Sequence, residues 1–519
     1  MKKILSMILA FALCLSLVGC GSAAAASDGG TSNGGSSAAM IAETAAVQTE
    51  EDLIAAEAEA EEDVETTVTI TLSDGASRAD SSGVTISGNT VTITAGGNYR
   101  VTGTLTNGQI VVNAPEEKVV LALDGVSVTC ENSAAIYVID AKKVILSLVS
   151  GSENALASTG EYVQTDDNTV DAAIFSKDDL TIKGSGALTV SSETGHGIVS
   201  KDELKIKSGT LTVTAAKKGM AANDLVEITG GVLTIASGKH GIHCDETLTI
   251  SHGTIRITKS FEGLEAKTIE ISGGDISIAA SDDGLNATDS ASGTEADGWG
   301  WGFGGMDEAQ DGVYILVSGG KLTVSASGDG LDSNGDLTIT GGEIYVSGPT
   351  SDGDGALDYA GTGTITGGTL IAAGSSGMAQ SLSSDAQGVM LLTLSGAQSA
   401  GSTVTVKDAD GTLLASFTPE KAYTSVIISA PGMESGGTYT VECGDESRSV
   451  TLEGYTYSEG GFGGFGGGMP GGFGGGQPNG DFSGERPDGT PPADFDGGKP
   501  DGTPPAGFSG GGQPGGTAA

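Results

Sequence analysis

Over the middle of the chain, one pattern of apolar and polar positions returns again and again. A glycine followed by an aliphatic residue opens each unit: Gly197-Ile198, Gly219-Met220, Gly241-Ile242, Gly263-Leu264 and Gly284-Leu285, at intervals of 22, 22, 22 and 21 residues. Asp329-Gly330-Leu331 and Asp354-Gly355-Ala356 continue the series after an insertion. Each unit carries two short alternating runs, such as Leu225 to Ile228 and Leu233 to Ile235, around a glycine-rich connector such as Thr229-Gly230-Gly231. Short runs rich in Thr, Val and Ile, bounded by glycine, read as strands. A single unit cannot bury its apolar side alone, whereas stacked units bury a continuous core. The pattern therefore predicts an all-β parallel β-helix, a solenoid with coils of about 22 residues. No helical segment fits within the unit, which disfavours a leucine-rich repeat.

Outside these units the periodicity changes. Residues 66–194 read as earlier, less regular coils, so the solenoid is expected over 66–385. The longer alternating runs within 386–455 predict a small C-terminal β-strand cap, since an uncapped parallel end leaves edges for aggregation.

The ends do not read as fold. Lys2 and Lys3 precede an apolar stretch from Ile4 to Val18 that is too short to span a bilayer, so residues 1–19 are expected to be a lipoprotein signal peptide. Leu17-Val18-Gly19-Cys20 looks like a bacterial lipobox, making Cys20 the expected lipidation site. An extracytoplasmic protein, lipid-anchored to the membrane or cell surface, is then expected. Residues 20–65 carry eleven acids and no base, a composition expected of a disordered acidic linker. Residues 456–519 form a Gly/Pro/Phe-rich tail expected to be disordered. Cys130, Cys244 and Cys443 are scattered and suggest buried single thiols rather than a disulfide framework.

Charge sharpens this outline. The chain has 24 Lys and Arg against 67 Asp and Glu, a formal charge of −43, which excludes a phosphate backbone as partner. Residues 262–358 alone hold 19 acids and two lysines. Within the repeat, the residue before the marker glycine runs His196, Lys218, His240, Glu262, Asp283, Asp329, Asp354. The second residue after it runs Val199, Ala221, His243, Glu265, Asn286, Asp332, with Asp358 displaced by one position. Both columns turn acidic at the same coil. Stacked coils lie about 4.8 Å apart, and carboxylates at that spacing repel by roughly 1 kcal/mol per pair even in water. Cations relieve such a ladder, and Ca2+ fits best because it accepts six to eight oxygens in flexible geometry. The candidate ligands are Asp282, Asp283 and Asn286; Asp329 and Asp332; and Asp352, Asp354 and Asp358. The plainer alternative is that Asp-Gly is simply good turn chemistry.

The insertion, about residues 289–310, holds both tryptophans. Trp299 and Trp301 are candidate carbohydrate-binding rings, with a glycine-rich loop of no function as the alternative.

Three sets of residues carry a family resemblance: Gly103-Thr-Leu-Thr-Asn-Gly-Gln-Ile110-Val-Val-Asn-Ala-Pro115, Ile174-Phe-Ser-Lys-Asp-Asp-Leu-Thr-Ile-Lys-Gly-Ser-Gly186, and the Gly-Gly strands. With them the chain resembles the bacterial carbohydrate-binding domain family typified by a clostridial cellulose- and polygalacturonate-binding lipoprotein. The resemblance implies a right-handed parallel β-helix with bound calcium, binding acidic or cellulosic polysaccharide without cleaving it. A non-catalytic, monomeric glycan binder is therefore expected, with no catalytic residues assigned. Two rivals remain open. A pectin-degrading enzyme is one: a lyase would need an Arg or Lys base beside the calcium, yet the acidic window has no Arg and only the isolated Lys267 and Lys321. A hydrolase would need paired acids in a cleft, and Gly195-His196-Gly197 and Asp282-Asp283 resemble fragments of such motifs only in reversed chain order. A structural or adhesin-like surface protein would show no calcium-dependent glycan affinity.

Overall fold

The inward side chains of successive coils stand in unbroken aliphatic ladders, and those ladders organise the molecule. In the computed structural model, which describes residues 68–289 and 309–459, Leu188, Leu211, Leu233, Ile255, Ile276, Leu322, Ile344 and Leu370 pair one to the next in parallel register. A second ladder runs Ile182, Ile206, Ile228, Ile250, Ile271, Val317, Ile339, Ile365. Every one of these side chains is buried in one continuous core. Alternation along each strand puts the intervening Thr, Lys and Glu outside. The described residues are all-β, without helix, and 33 strands belong to one hydrogen-bonded sheet whose parallel pairings fit a β-helix-like fold.

Most coils contain three strands where the repeat pattern predicts two, and in two coils the first two run together as Ile242–Ile250 and Leu264–Ile271. In one coil the three are His196–Ser200, Glu203–Ile206 and Thr210–Ala215. The strand missed by the pattern is the one at the marker glycine. It shrinks to three residues in Met220–Ala222, Leu285–Ala287, Leu331–Ser333 and Leu357–Tyr359, too short for alternation to register. The marker glycine is needed because coils touch there: a Cβ on Gly263 would lie 2.3 Å from the Gly284 carbonyl oxygen. The second glycine of the connector has a different reason. Gly274 takes φ +89°, a left-handed conformation that favours glycine.

Both ends of the stack switch to antiparallel pairing. Val84–Ser87 and Thr90–Ile93 form a hairpin near the first coils. At the other end, Tyr423–Ser429 pairs antiparallel with both Thr369–Gly374 and Val389–Gln398. A separate four-stranded antiparallel sheet, from Val404–Lys407 to Glu446–Thr451, packs around a second apolar cluster that includes Tyr423, Met433 and Tyr439. Cys130, Cys244 and Cys443 are buried and unpaired to one another. The signal peptide 1–19, Cys20, the linker 20–65, Trp299, Trp301 and residues 460–519 of the tail lie outside the described residues. The start of the tail expected to be disordered from 456 is instead a strand, Thr456–Ser458, paired parallel with Val389–Gln398, and it completes the cap's edge. The base of the insertion is described: the Asp289 amide donates to Gln310 Oε1 at 2.8 Å.

Candidate functional site: two donor columns on one face

The short strand at the marker glycine carries one outward side chain per coil, flanked by inward ones. Parallel register therefore lines these outward residues up: Val111, Tyr137, Phe175, Val199, Ala221, His243, Glu265, Asn286, Asp332, Asp358. The upper part of this column is apolar and buried beneath Val170 and Tyr162. From His243 onward every member is a potential ligand or hydrogen-bond partner.

The register corrects one sequence expectation. Leu331 pairs with Leu357 and Asp332 with Asp358, so Asp358 stands in its column rather than one position off it. Asp354 is the displaced residue, and Ala356 occupies the position of the marker glycine. The coil is 26 residues long here, and the Asp354-Gly355 dipeptide mimics a marker that has moved. Asp352 sits apart, exposed, accepting a hydrogen bond from the Ser375 hydroxyl.

The column before the glycine ties coil to coil. His196 Nδ1 accepts from the Lys218 amide at 3.2 Å, Asp283 Oδ1 from the Asp329 amide at 2.6 Å, and Asp329 Oδ1 from the Gly355 amide at 2.5 Å. Turn chemistry thus uses one oxygen of each aspartate and leaves the other. Ligand atoms of Asp283, Asp329 and Asp332 lie within 4.8 Å of one another, as do those of Glu262, Asp282 and Asp283. Beside them, Asn286 Oδ1 is buried with no hydrogen-bond partner, an uncommon state for an amide oxygen.

The electrostatics reflect crowding of like charge. Burial, then the charges of Asp282 and Asp329, push Asp283 up to about 8. Burial and the charges of Asp358, Asp354 and Asp282 push Asp329 up to about 7, against the Gly355 amide that lowers it. Asp332 is raised well above the usual carboxylate range, first by burial and then by Asp283 and Asp329. The donor set (three carboxylates and an amide oxygen, all hard oxygens) suits Ca2+. Asp352 and Asp354 join none of the convergent groups of three among the described residues, and neither does Asp358, whose Oδ1 accepts from Gln380 Nε2 at 2.7 Å.

Upstream, the same face holds histidines paired with acids. His240 Nδ1 lies 3.0 Å from Glu262 Oε2 and 2.8 Å from Glu265 Oε2. His243 Nδ1 lies 2.6 Å from Glu265 Oε2, and its Nε2 is 2.8 Å from Asp245 Oδ1. Burial works to lower the His240 pKa, but the two glutamates outweigh it and raise it to about 9. Glu265 is held well below the carboxylate range: burial opposes this, and hydrogen bonds from both histidines prevail. Glu262, Glu265, His240 and His243 were not among the expected ligands, although their 22-residue spacing places each histidine beside a glutamate of the next coil. Next to them, a cavity of about 130 Å³ is lined by Asp171, His196, Lys201, Lys218, Asn223 and His243, among others. A larger hollow of about 350 Å³ lies on the C-terminal sheet, where Glu442 is tied to Lys407 and Glu446 to Ser395 and Arg448.

Comparison with known proteins gives three findings. The model of a family described as carbohydrate-binding domain-containing protein matches residues 87–355 and 239–454. A carbohydrate-binding domain-containing protein of Acetivibrio thermocellus is 43% identical over 136 residues, 26% of this chain and 48% of that protein, so the chain spans about half the length of this relative. A solved structure of a polysaccharide lyase-like protein from C. thermocellum, a gadolinium derivative, is 29% identical and covers 56% of this chain and 99% of that one, with a TM-score of 0.36.

Proposed function

Since the chain belongs to the carbohydrate-binding domain-containing protein family, we propose that it is a non-catalytic cell-surface lipoprotein that binds acidic or cellulosic polysaccharide through calcium on its acidic face. Its body would be a right-handed parallel β-helix, the hand that parallel crossover connections almost always take. Cys20 would carry the lipid, and Trp299 and Trp301 would add stacking faces for sugar rings.

The observation that carries this reading is the convergence of Asp283, Asp329 and Asp332, together with the unpartnered Oδ1 of Asn286, the residue paired with Asp332 in the neighbouring coil. These four residues would hold the ion, with Glu262 and Asp282 beside them. Bound Ca2+ supplies a positive charge that uronate carboxylates can share, so an acidic protein can hold an acidic polymer. The chain's own groups do the positioning. Coil-to-coil hydrogen bonds from the Asp329 and Gly355 amides fix one oxygen of Asp283 and of Asp329. Partial burial limits how far water can solvate the carboxylates individually.

Binding is favoured over lyase chemistry because the nearby amines are engaged. Lys267 lies 3.0 Å from Asp289 Oδ2. Lys421 reaches the coil edge from the cap, but its ammonium donates to the Ala326 carbonyl and, at 3.1 Å, to Ser327 Oγ. Affinity electrophoresis through polygalacturonate tests the proposal: migration should be retarded with Ca2+ and restored by EDTA. Unchanged migration in every acidic and neutral glycan would leave a structural surface protein. An ultraviolet-absorbing unsaturated product would make it a lyase.

A further inference from the structure

We propose that His240, Glu262 and Glu265 form a second cation site, for a borderline transition metal of the Zn2+ class, next to the oxygen-only aspartate cluster and joined to it through Glu262. Their ligand atoms lie within 4.8 Å of one another, and Glu262 and Glu265 are buried with His240 nearly so. Donors around tetrahedral zinc, at bond lengths near 2.0–2.2 Å, stand about 3.3 Å apart. His240 Nδ1 is already 3.0 and 2.8 Å from the two glutamate oxygens, so shifts of a few tenths of an ångström admit the ion. The imidazole nitrogen decides the class of metal: nitrogen donors suit Zn2+ and Co2+, whereas Ca2+ takes oxygen. Three protein ligands leave a fourth position for water or for an oxygen of a bound ligand.

A second observation supports the site. Ligands of a metal are held by partners behind them, and such partners matter to affinity. Here Asp245 Oδ1 holds His243 Nε2 at 2.8 Å, which turns His243 Nδ1 onto Glu265 Oε2 at 2.6 Å. Glu265 Oε2 is thus held by His243 as well as by His240, and Asp245 and His243 are positioning residues. Metal entry displaces the proton that His240 shares with the glutamates, so binding releases a proton and tightens as pH rises.

Calorimetric titration of the full chain with Zn2+, in excess Ca2+, tests the site, with Co2+ absorption as the spectroscopic readout. One equivalent should bind, with visible Co2+ bands of a four-coordinate centre. His240→Gln should weaken Zn2+ by at least about tenfold, and Asp245→Asn by about 10- to 100-fold with shifted Co2+ bands, Asp245→Glu recovering part of the loss. Melting curves without metal confirm that each variant is folded. Asp332→Asn keeps all three ligands of this site, but Glu262 also stands in the group with Asp282 and Asp283 that adjoins the calcium cluster, so the variant should change Zn2+ affinity by less than the about tenfold loss expected of His240→Gln. Absence of Zn2+ binding, or undiminished binding by His240→Gln, overturns the site and leaves the calcium reading standing. Loss of Ca2+ response in the native chain with Zn2+ binding intact would do the reverse.

Discussion

Two stretches of one column occupy the same register yet hold opposite chemistry. Val111, Tyr137, Phe175, Val199 and Ala221 form an apolar cluster sealed by Val170. Glu265, Asn286, Asp332 and Asp358 continue the same outward position toward the C-terminus. Beneath both, the inward ladders stay aliphatic. The backbone ladder and the core hold the coils together, so the outward column is free to be a packing surface in one half and a charged one in the other. His243 marks the change, its ring flanked by Ala221 on one side and Glu265 on the other.

The largest effect expected from breaking this comparison comes from exchanging the chemistries. Phe175→Asp puts a carboxylate where a ring is 1% exposed, with the Lys201 ammonium, 5.8 Å from the ring centroid, as a partial counter-charge. A loss of at least about 3–5 kcal/mol is expected, the range for truncating a buried Phe, with desolvation of the charge in addition. Urea denaturation measures it, and Ca2+ should not restore the loss.

The converse substitution should act with the opposite sign. In chelator at alkaline pH, Asp332→Asn removes one member of a repelling cluster and should raise stability by on the order of 1 kcal/mol. The same variant should lose its Ca2+ response. A drop in metal-free stability would mean that the carboxylate is a net structural asset.

The pH dependence distinguishes the halves without mutation. A carboxyl whose folded pKa exceeds its unfolded value stabilises the fold at low pH and loses that contribution as pH rises through the folded pKa. Asp283, at about 8, and Asp329, at about 7, both start from 3.8. Metal-free melting temperature should therefore fall as pH climbs from about 4 to 8. His240, raised from 6.5 to about 9, extends the loss in the same direction. A flat profile in chelator would remove the crowded-carboxylate picture.

The smallest expected effect checks the register. Asp354→Ala should change stability by less than about 0.5 kcal/mol, as surface substitutions usually do. Asp358→Ala, which loses the Gln380 hydrogen bond, should cost about 1 kcal/mol.

The columns were legible in the sequence because a 22-residue period converts directly into neighbouring positions on stacked coils. Asp283, Asp329 and Asp332 come together for that reason. Two things were not legible. The marker strand escaped because three residues carry too little alternation, although it bears the site. The last coil was misframed because four extra residues entered it, so Asp-Gly at 354–355 matched the motif while Leu357 kept the register. The His240–Glu262–Glu265 contact was hidden because each residue looks ordinary within its own coil. The 22-residue spacing sets each histidine beside a glutamate, but only the side-chain distances show that His240 reaches both glutamates.

Calorimetric melting at pH 8, in chelator and then in saturating Ca2+, tests the central claim most directly. Ca2+ at a hundredfold excess over Kd should add roughly 2.7 kcal/mol of stability, raise the melting temperature of the native chain, and leave that of Asp332→Asn unchanged. Superimposable curves for the native chain with and without Ca2+ would contradict the acidic column as a calcium site.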